Sequence, residues 1–390
     1  MDLREVLRLF GPAWITMMAD IDAASVLTAV ANGQIYGYGL VWLLALLTIP
    51  LFIIQEAAGR VGVAAGGRGL GELIRARFGP KWSALAALPM FGIDLFSYVI
   101  EYTGIAVGAA MLGIPPLIAV SIVYVVALAI IVGRRYAEAE KYLLVPAALM
   151  PLAFIIEAAL RGYDPSAPLF YASTSPPFLF FIAANIGAVV MPFMLFFQAS
   201  ATAKKYGAGG DVSAKISWSA KETLIGAAFS EAVMIAIEAA SAGLDGVDPL
   251  SPSSMSSALS RIAGPYSATL FGIGLLSSAF LALVVIALAS SWGAVEALGV
   301  KDRRIRDLVF AAEQLPGLLI VSTSPSSKLV LLALNLMAAS AVALAVPGIL
   351  IGILISDENI MGPYKYNKTR AAAYWATLAV LIGFGVLGLL

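Results

Sequence analysis

Apolar runs of 18 residues or more recur along the whole 390-residue chain. Each is long enough to cross a bilayer as a helix. In hydrocarbon every backbone N–H and C=O must find its partner inside the protein, which leaves helices or a closed barrel. The runs are continuous rather than alternating in and out, which argues against a barrel. Only 12% of the residues are charged, against about 25% in a soluble globular protein. The expected fold class is therefore an all-α membrane protein. We read eleven transmembrane helices, at roughly 9–34, 39–58, 83–112, 115–133, 142–160, 177–203, 218–242, 264–298, 306–323, 329–355 and 371–390. No stretch between them is long enough for a separate soluble domain. The first run lacks a basic leader followed by a small-residue cleavage site, so no removable signal peptide is expected.

Orientation follows from where Lys and Arg fall. With the N-terminus in the cytoplasm, 21 of the 24 basic residues lie on the cytoplasmic side, and only Arg161, Arg261 and Lys328 lie opposite. Eleven spans then place the C-terminus outside. The chain has no cysteine and no histidine. This removes disulfide and thiolate chemistry, the usual proton shuttle and the commonest transition-metal ligand.

Two spans are interrupted. The first carries "ADIDAAS" (19–25) and the sixth carries "GAVVMPFM" (187–194), with Gly187 and Pro192. Each opens a five-span block, and the two blocks start on opposite sides of the membrane. Broken hydrophobic segments at corresponding positions point to an inverted-repeat transporter with its site at the midplane. The expected repeats are 1–160 and 177–355, with the helix at 371–390 outside them, in one transporter domain.

An ionised carboxylate at the bilayer centre costs about 2.5–3.5 kcal/mol or more, so it faces a pathway or a partner. Asp22 sits in the first break, where a carboxylate and freed backbone carbonyls together suit a cation. Asp20 and Asp22 have a plainer use, as caps of the second half-helix. Glu231 lies mid-span with no basic neighbour in its own helix, and Glu238 follows two turns later. Glu101 and Asp94 are seven apart in span 3 and share a helical face. They either line a polar path or pair within the bundle. Glu157 and Glu313 read as interfacial, and Glu56 with Arg60 as an ordinary i,i+4 pair. Met191 is a soft thioether at the second break, suited to manganese, iron or heavier metals; most of the 12 methionines are packing residues. The glycine-rich 62–79 segment lacks the Lys-Ser/Thr ending of a phosphate loop. It reads as a turn leading into a short amphipathic helix.

The pieces "GPAWITMMADIDAA", "EAAGRVGVAAGGRGLGELIRARFG", "NIGAVVMPFMLFFQAS" and "ISDENIMG" resemble the Nramp divalent-metal transporters over nearly the whole repeat. The resemblance implies a LeuT-like fold with the metal held between the breaks of spans 1 and 6. The family's Asp-Pro-Gly-Asn motif is matched by Asp22, Ala23, Ala24 and Ser25, so the aspartate ligand is kept and Ser25 replaces the asparagine. The Ala-x-x-Met-Pro-His motif is matched from Ala188 through Met191 and Pro192, with Phe193 at the histidine. A second family histidine falls at Gln198, and the span 7 asparagine falls at Glu231. In span 3, Glu101 matches the family's glutamate while Tyr98 stands at its aspartate.

This half-kept ligand set is most like the Nramp-related magnesium transporters. That branch implies magnesium, and also manganese, entering partly hydrated and without coupled protons. Magnesium's reluctance to shed water agrees in direction. The expected ion site comprises Asp22, Ala188, Met191, Ser25 and Glu231, with Asp20 in reach through water. The ion is cargo and no cofactor is expected. The bilayer, in a prokaryotic plasma membrane, is the other partner, with neither nucleic acid nor an obligatory protein partner implied. Two alternatives stand beside this reading: a proton-coupled manganese/iron transporter of the same family, and a sodium-coupled organic-solute transporter of the same fold. An enzyme is not expected, because no nucleophile–base pair or metal-hydrolase motif is present.

Overall fold

The computed structural model describes residues 10–323 and 329–389, all of whose regular structure is helical. In chain order the helices are α1 (Pro12–Asp20), α2 (Ala23–Tyr36), α3 (Val41–Ala64), α4 (Leu70–Phe78), α5 (Pro80–Met111), α6 (Pro116–Ile131) and α7 (Tyr136–Arg161). They continue with α8 (Pro176–Val189), α9 (Pro192–Tyr206), α10 (Val212–Ser241), α11 (Pro252–Ala263), α12 (Ser267–Leu298) and α13 (Arg303–Thr323). The last are α14 (Leu329–Ala343), α15 (Ala345–Leu354), α16 (Glu358–Met361) and α17 (Lys368–Leu389). Proline opens α1, α5, α6, α8, α9 and α11, where its fixed φ suits the first turn and its missing N–H costs nothing. Gly299 closes α12 at φ 72°, ψ 22°, a left-handed conformation that favours glycine.

Among the described residues, eight helices are long and apolar enough to cross a membrane, and the bent pair α1–α2 makes a ninth. The expected fourth span is a shorter apolar helix, α6, of 16 residues. The expected ninth span, α13, is 21 residues long but carries Arg303, Arg304, Arg306, Asp307 and Glu313, which lower its hydropathy. Lys328 and the start of the first expected span lie outside the described residues.

The connecting segments gather at two ends. At one end Arg77 pairs with Asp357 at 2.6 Å, Lys204 with Glu296 at 3.1 Å and Lys205 with Glu140 at 2.9 Å. Arg75 donates to the Ala297 carbonyl, and Gly133 N–H to Asp307. At the other end Tyr38 N–H donates to Pro168 O, Gln34 to Val247 O, and Arg161 to Ala242 O. Most of the basic residues share the first end. Amphipathic α4 lies there, burying Leu70, Leu73 and Ile74.

Small residues set the closest helix contacts. A Cβ at Gly108 of α5 would stand 2.8 Å from the Gly272 carbonyl of α12, and one at Gly104 would stand 2.6 Å from Ala23 Cβ. Membrane helices lack a hydrophobic drive toward one another and rely on such close packing. Here it presses α5 and α12 against the α1–α2 break.

Candidate functional site

α1 ends at Asp20 and α2 begins at Ala23, with a 48° bend between them. Ile21 (φ −81°, ψ 61°) and Asp22 (φ −79°, ψ 176°) are not helical. The second interruption lies between Val189 and Pro192, where Val190 and Met191 are extended. Its cause is local: the Ala188 carbonyl would bond the N–H four residues on, but that residue is Pro192, which has none. The two interruptions are level with each other. Below them Thr16 of α1 donates to Gln198 of α9 at 2.7 Å, and above them Asn32 of α2 donates to Asn185 of α8 at 2.8 Å.

Asp22 is the N-cap of α2. Its Oδ1 accepts the Ser25 N–H at 2.6 Å, while Oδ2 is buried without a partner. Capping and ion binding are therefore compatible, because the cap fixes one oxygen and leaves the other. Asp20 is not a cap: its Oδ2 accepts from Ser230 at 3.2 Å, and its Oδ1 is unpartnered. Glu231 lies close enough to Asp20 to interact electrostatically, as does Asp22, and neither Glu231 oxygen has a hydrogen-bond partner. Ser25 Oγ is buried and unpartnered.

Glu101 joins this group from α5. Its Oε2 accepts the Ala23 N–H at 3.1 Å, its Oε1 is unpartnered, and Asp22 is an electrostatic neighbour. Four buried carboxylates thus surround the first break, and none forms an ion pair among the described residues. No three His, Cys, Asp or Glu side chains among the described residues suffice by themselves to hold a metal ion. What the first break presents instead is two aspartate oxygens without a partner, Asp20 Oδ1 and Asp22 Oδ2, beside the Ser25 hydroxyl. Ala188 and Met191 stand at the facing break, both buried. The Met191 N–H reaches Met194 Sδ at 3.5 Å, and its carbonyl takes the Met194 N–H at 3.1 Å.

Several residues here were not singled out from the sequence, and Gln198 was noted only as standing at a family histidine. Ser278 of α12 hydrogen-bonds the Ile21 carbonyl inside the break; the signal was a pair of adjacent serines in the middle of an apolar run. Glu222 of α10 accepts the Trp14 N–H at 3.1 Å, satisfying a free donor in the first turn of α1. Thr16, Gln198 and Thr223 form a polar chain below the break. Two of the acids are more enclosed than the sequence suggests. Glu157, one turn before the end of α7, is fully buried and accepts from Ser267 at 2.8 Å, and Glu313 is buried between helices. Glu56 does pair with Arg60 at 2.5 Å, and also takes a hydrogen bond from Tyr366.

A bundle of apolar helices long enough to cross a membrane, with two helix breaks beside buried acids, has the make-up of a helical membrane protein. The family model described as "Natural resistance-associated macrophage protein-like" matches residues 13–390, and the chain belongs to that family, Nramp. The protein named divalent metal cation transporter MntH from Aeromonas hydrophila is 26% identical, across 97% of this chain and 94% of its own. Its namesake from Bacillus subtilis is also 26% identical, across 98% and 92%. The crystal structure of the Eremococcus coleocola manganese transporter, in complex with an aromatic bis-isothiourea compound, superposes with a TM-score of 0.79. It does so at 17% identity, covering 97% of this chain and 85% of that one. MhsT in complex with L-phenylalanine superposes with a TM-score of 0.64 at 12% identity, covering 97% of each chain. None of these names points to the magnesium branch.

Proposed function

We propose that the chain imports a divalent metal ion, manganese in the first place, by alternating access around the paired breaks, and that protons move with it. The observation that carries this reading is the group of buried acids at the first break, with the free Asp22 Oδ2 among them and, among the described residues, no Lys or Arg paired with any of them. Such a group calls for a cation or for protons. The names of the relatives favour manganese over the magnesium expected from Ser25 and Phe193, and the Met191 thioether favours the same metal. Glu101, bonded to the break itself, is the titratable group best placed to couple a proton to the state of Asp22.

In this reading Asp22, the Ala188 carbonyl and Met191 hold the ion directly. Ser25 and Glu231 contribute through oxygen or water, and Asp20 supports Asp22 from α1. The repeats 1–160 and 177–355 rock against each other, with eleven crossings, the N-terminus and the basic end in the cytoplasm, and the C-terminus outside. The membrane potential assists entry by about 4.6 kcal/mol per 100 mV for a divalent ion, twice the single-charge figure.

Liposomes carrying the purified protein and an internal pH dye test the proposal. The expected result is saturable manganese uptake with matching acidification, abolished by Asp22→Asn. Uptake that survives Asp22→Asn removes the site assignment. Magnesium uptake with no acidification returns the magnesium reading.

A further inference from the structure

A second group of oxygen atoms lies apart from the break, between α5, α12 and α13. α13 rests directly on α5 at one point: a Cβ at Gly317 would stand 2.8 Å from Tyr98 Cβ. One turn back along each helix are Glu313 and Asp94, and these two are electrostatic neighbours. Ser290 of α12 is a hydrogen-bonding neighbour of Asp94, Tyr98 and Glu313, and the Tyr98 hydroxyl is one of Glu313, although none of these contacts reaches full hydrogen-bond geometry. Asp94 is 1% exposed, Glu313 4%, and Tyr98 and Ser290 0%. Five of their oxygens, Asp94 Oδ2, Tyr98 Oη, Ser290 Oγ and both Glu313 oxygens, are buried without a completed hydrogen bond. Among the described residues no Lys or Arg pairs with either carboxylate. The nearest basic residue on α13, Arg306, is engaged with Asp307.

We propose that Asp94, Tyr98, Ser290 and Glu313 form a second divalent-cation site, distinct from the site at the break. Two buried carboxylates with no cation are expensive in an apolar bundle, and one divalent ion matches their combined charge. The donor set is oxygen only, the chemistry of magnesium, calcium and manganese rather than of softer metals. A single proton shared by the carboxylates satisfies two oxygens. A cation with six or more ligand positions takes all five and keeps room for water. Asp94 is seven residues, or about 10 Å of helix, from Glu101 toward the basic end, so the two sites are separate but share α5.

Manganese binding to the purified full-length protein, counted by electron paramagnetic resonance in lipid nanodiscs, tests this directly. The parent is expected to bind two manganese ions per chain. Asp22→Asn and Glu313→Gln should each bind one, and the double variant none. Equal stoichiometry in the parent and Glu313→Gln overturns the second site. So does an infrared carboxylic-acid band that belongs to Glu313 and persists at saturating manganese, since that marks a protonated pair. A parent and Asp22→Asn that both bind two ions count against the break site alone. Should Glu313→Gln fail to fold, Tyr98→Phe and Ser290→Ala each remove one oxygen. Each is then expected to weaken one class of site about three- to tenfold with stoichiometry intact, and no change in either overturns the proposal.

Discussion

Glu101 Oε2 accepts the Ala23 backbone N–H at 3.1 Å, which ties the middle of α5 to the first residue of α2. The bond exists because Gly104, one turn on, lets Ala23 approach α5 closely. Any rotation of α2 that opens the break must lengthen this contact, so the protonation of Glu101 and the state of the break are mechanically joined. A hydrogen bond to a charged group contributes about 1.5–3 kcal/mol. Glu101→Ala is therefore expected to slow manganese uptake roughly ten- to hundredfold. Glu101→Gln keeps an acceptor and should keep metal binding while losing the accompanying proton. Liposome acidification measured beside uptake separates the two variants.

Gly104→Ala tests the same contact sterically. Its methyl would stand 2.6 Å from Ala23 Cβ and 3.1 Å from Ala279 Cβ. Overpacking of this kind costs about 1–3 kcal/mol. The variant should melt earlier in detergent and lose transport, although it changes no polar group. Unaltered transport would mean that α5 does not control the break.

At Asp22 an observed helix cap and a proposed ion ligand share one side chain, and two substitutions divide them. Asparagine caps as well as aspartate, whereas alanine forfeits about 1 kcal/mol of helix stability. Asp22→Asn should therefore fold like the parent and Asp22→Ala less well. Both lose the charged oxygen, and loss of a buried charge pairing costs about 2–5 kcal/mol. Manganese affinity should fall at least about thirtyfold in each. Titration calorimetry and thermal melting, run on both variants, provide the two readouts.

The breaks were legible in the sequence because their causes are local. Pro192 removes an N–H wherever the chain goes, and two aspartates two apart cannot sit quietly in an apolar helix. Several basic segments expected on one side do meet in the structure, where Arg77 reaches Asp357 and Lys204 reaches Glu296. The partners of the buried acids were not legible. Asp20 meets Ser230, and Trp14 meets Glu222, across more than 200 residues of chain. Glu313 gave no sign of its neighbours, and only the Gly317–Tyr98 approach reveals that it is buried against α5. The fourth and ninth expected spans are not among the helices long and apolar enough to cross a membrane: α6 has only 16 residues, and α13 opens with a charged turn.

Met191 offers a test of metal choice. If its sulfur faces the ion, Met191→Ala removes the only soft ligand while leaving the Asp22 oxygen and the carbonyls, which serve magnesium equally well. The preference for manganese over magnesium should then drop about tenfold, mainly through weaker manganese binding. Competition of magnesium against manganese uptake measures the ratio directly, and an unchanged ratio would assign Met191 to packing.

The basic end of the bundle carries a pH-dependent contact well away from the transport site. Arg77 Nε donates to Asp357 Oδ2 at 2.6 Å, joining the segment before α5 to the one after α15. This bond, helped by the Asn359 N–H, holds the Asp357 carboxyl below its usual range. A carboxyl whose folded-state value is lowered adds stability that is fully present above the unfolded value, about 4. That stability disappears as the pH falls through the folded value. The melting difference between the parent and Asp357→Asn should therefore stay constant from about pH 5 to 8 and shrink on further acidification. Arg77 is half exposed, so salt should shrink the same difference at neutral pH. Melting curves of the two proteins at several pH values and two salt concentrations check both statements. A difference that grows on acidification would mean that the contact works through some group other than Asp357.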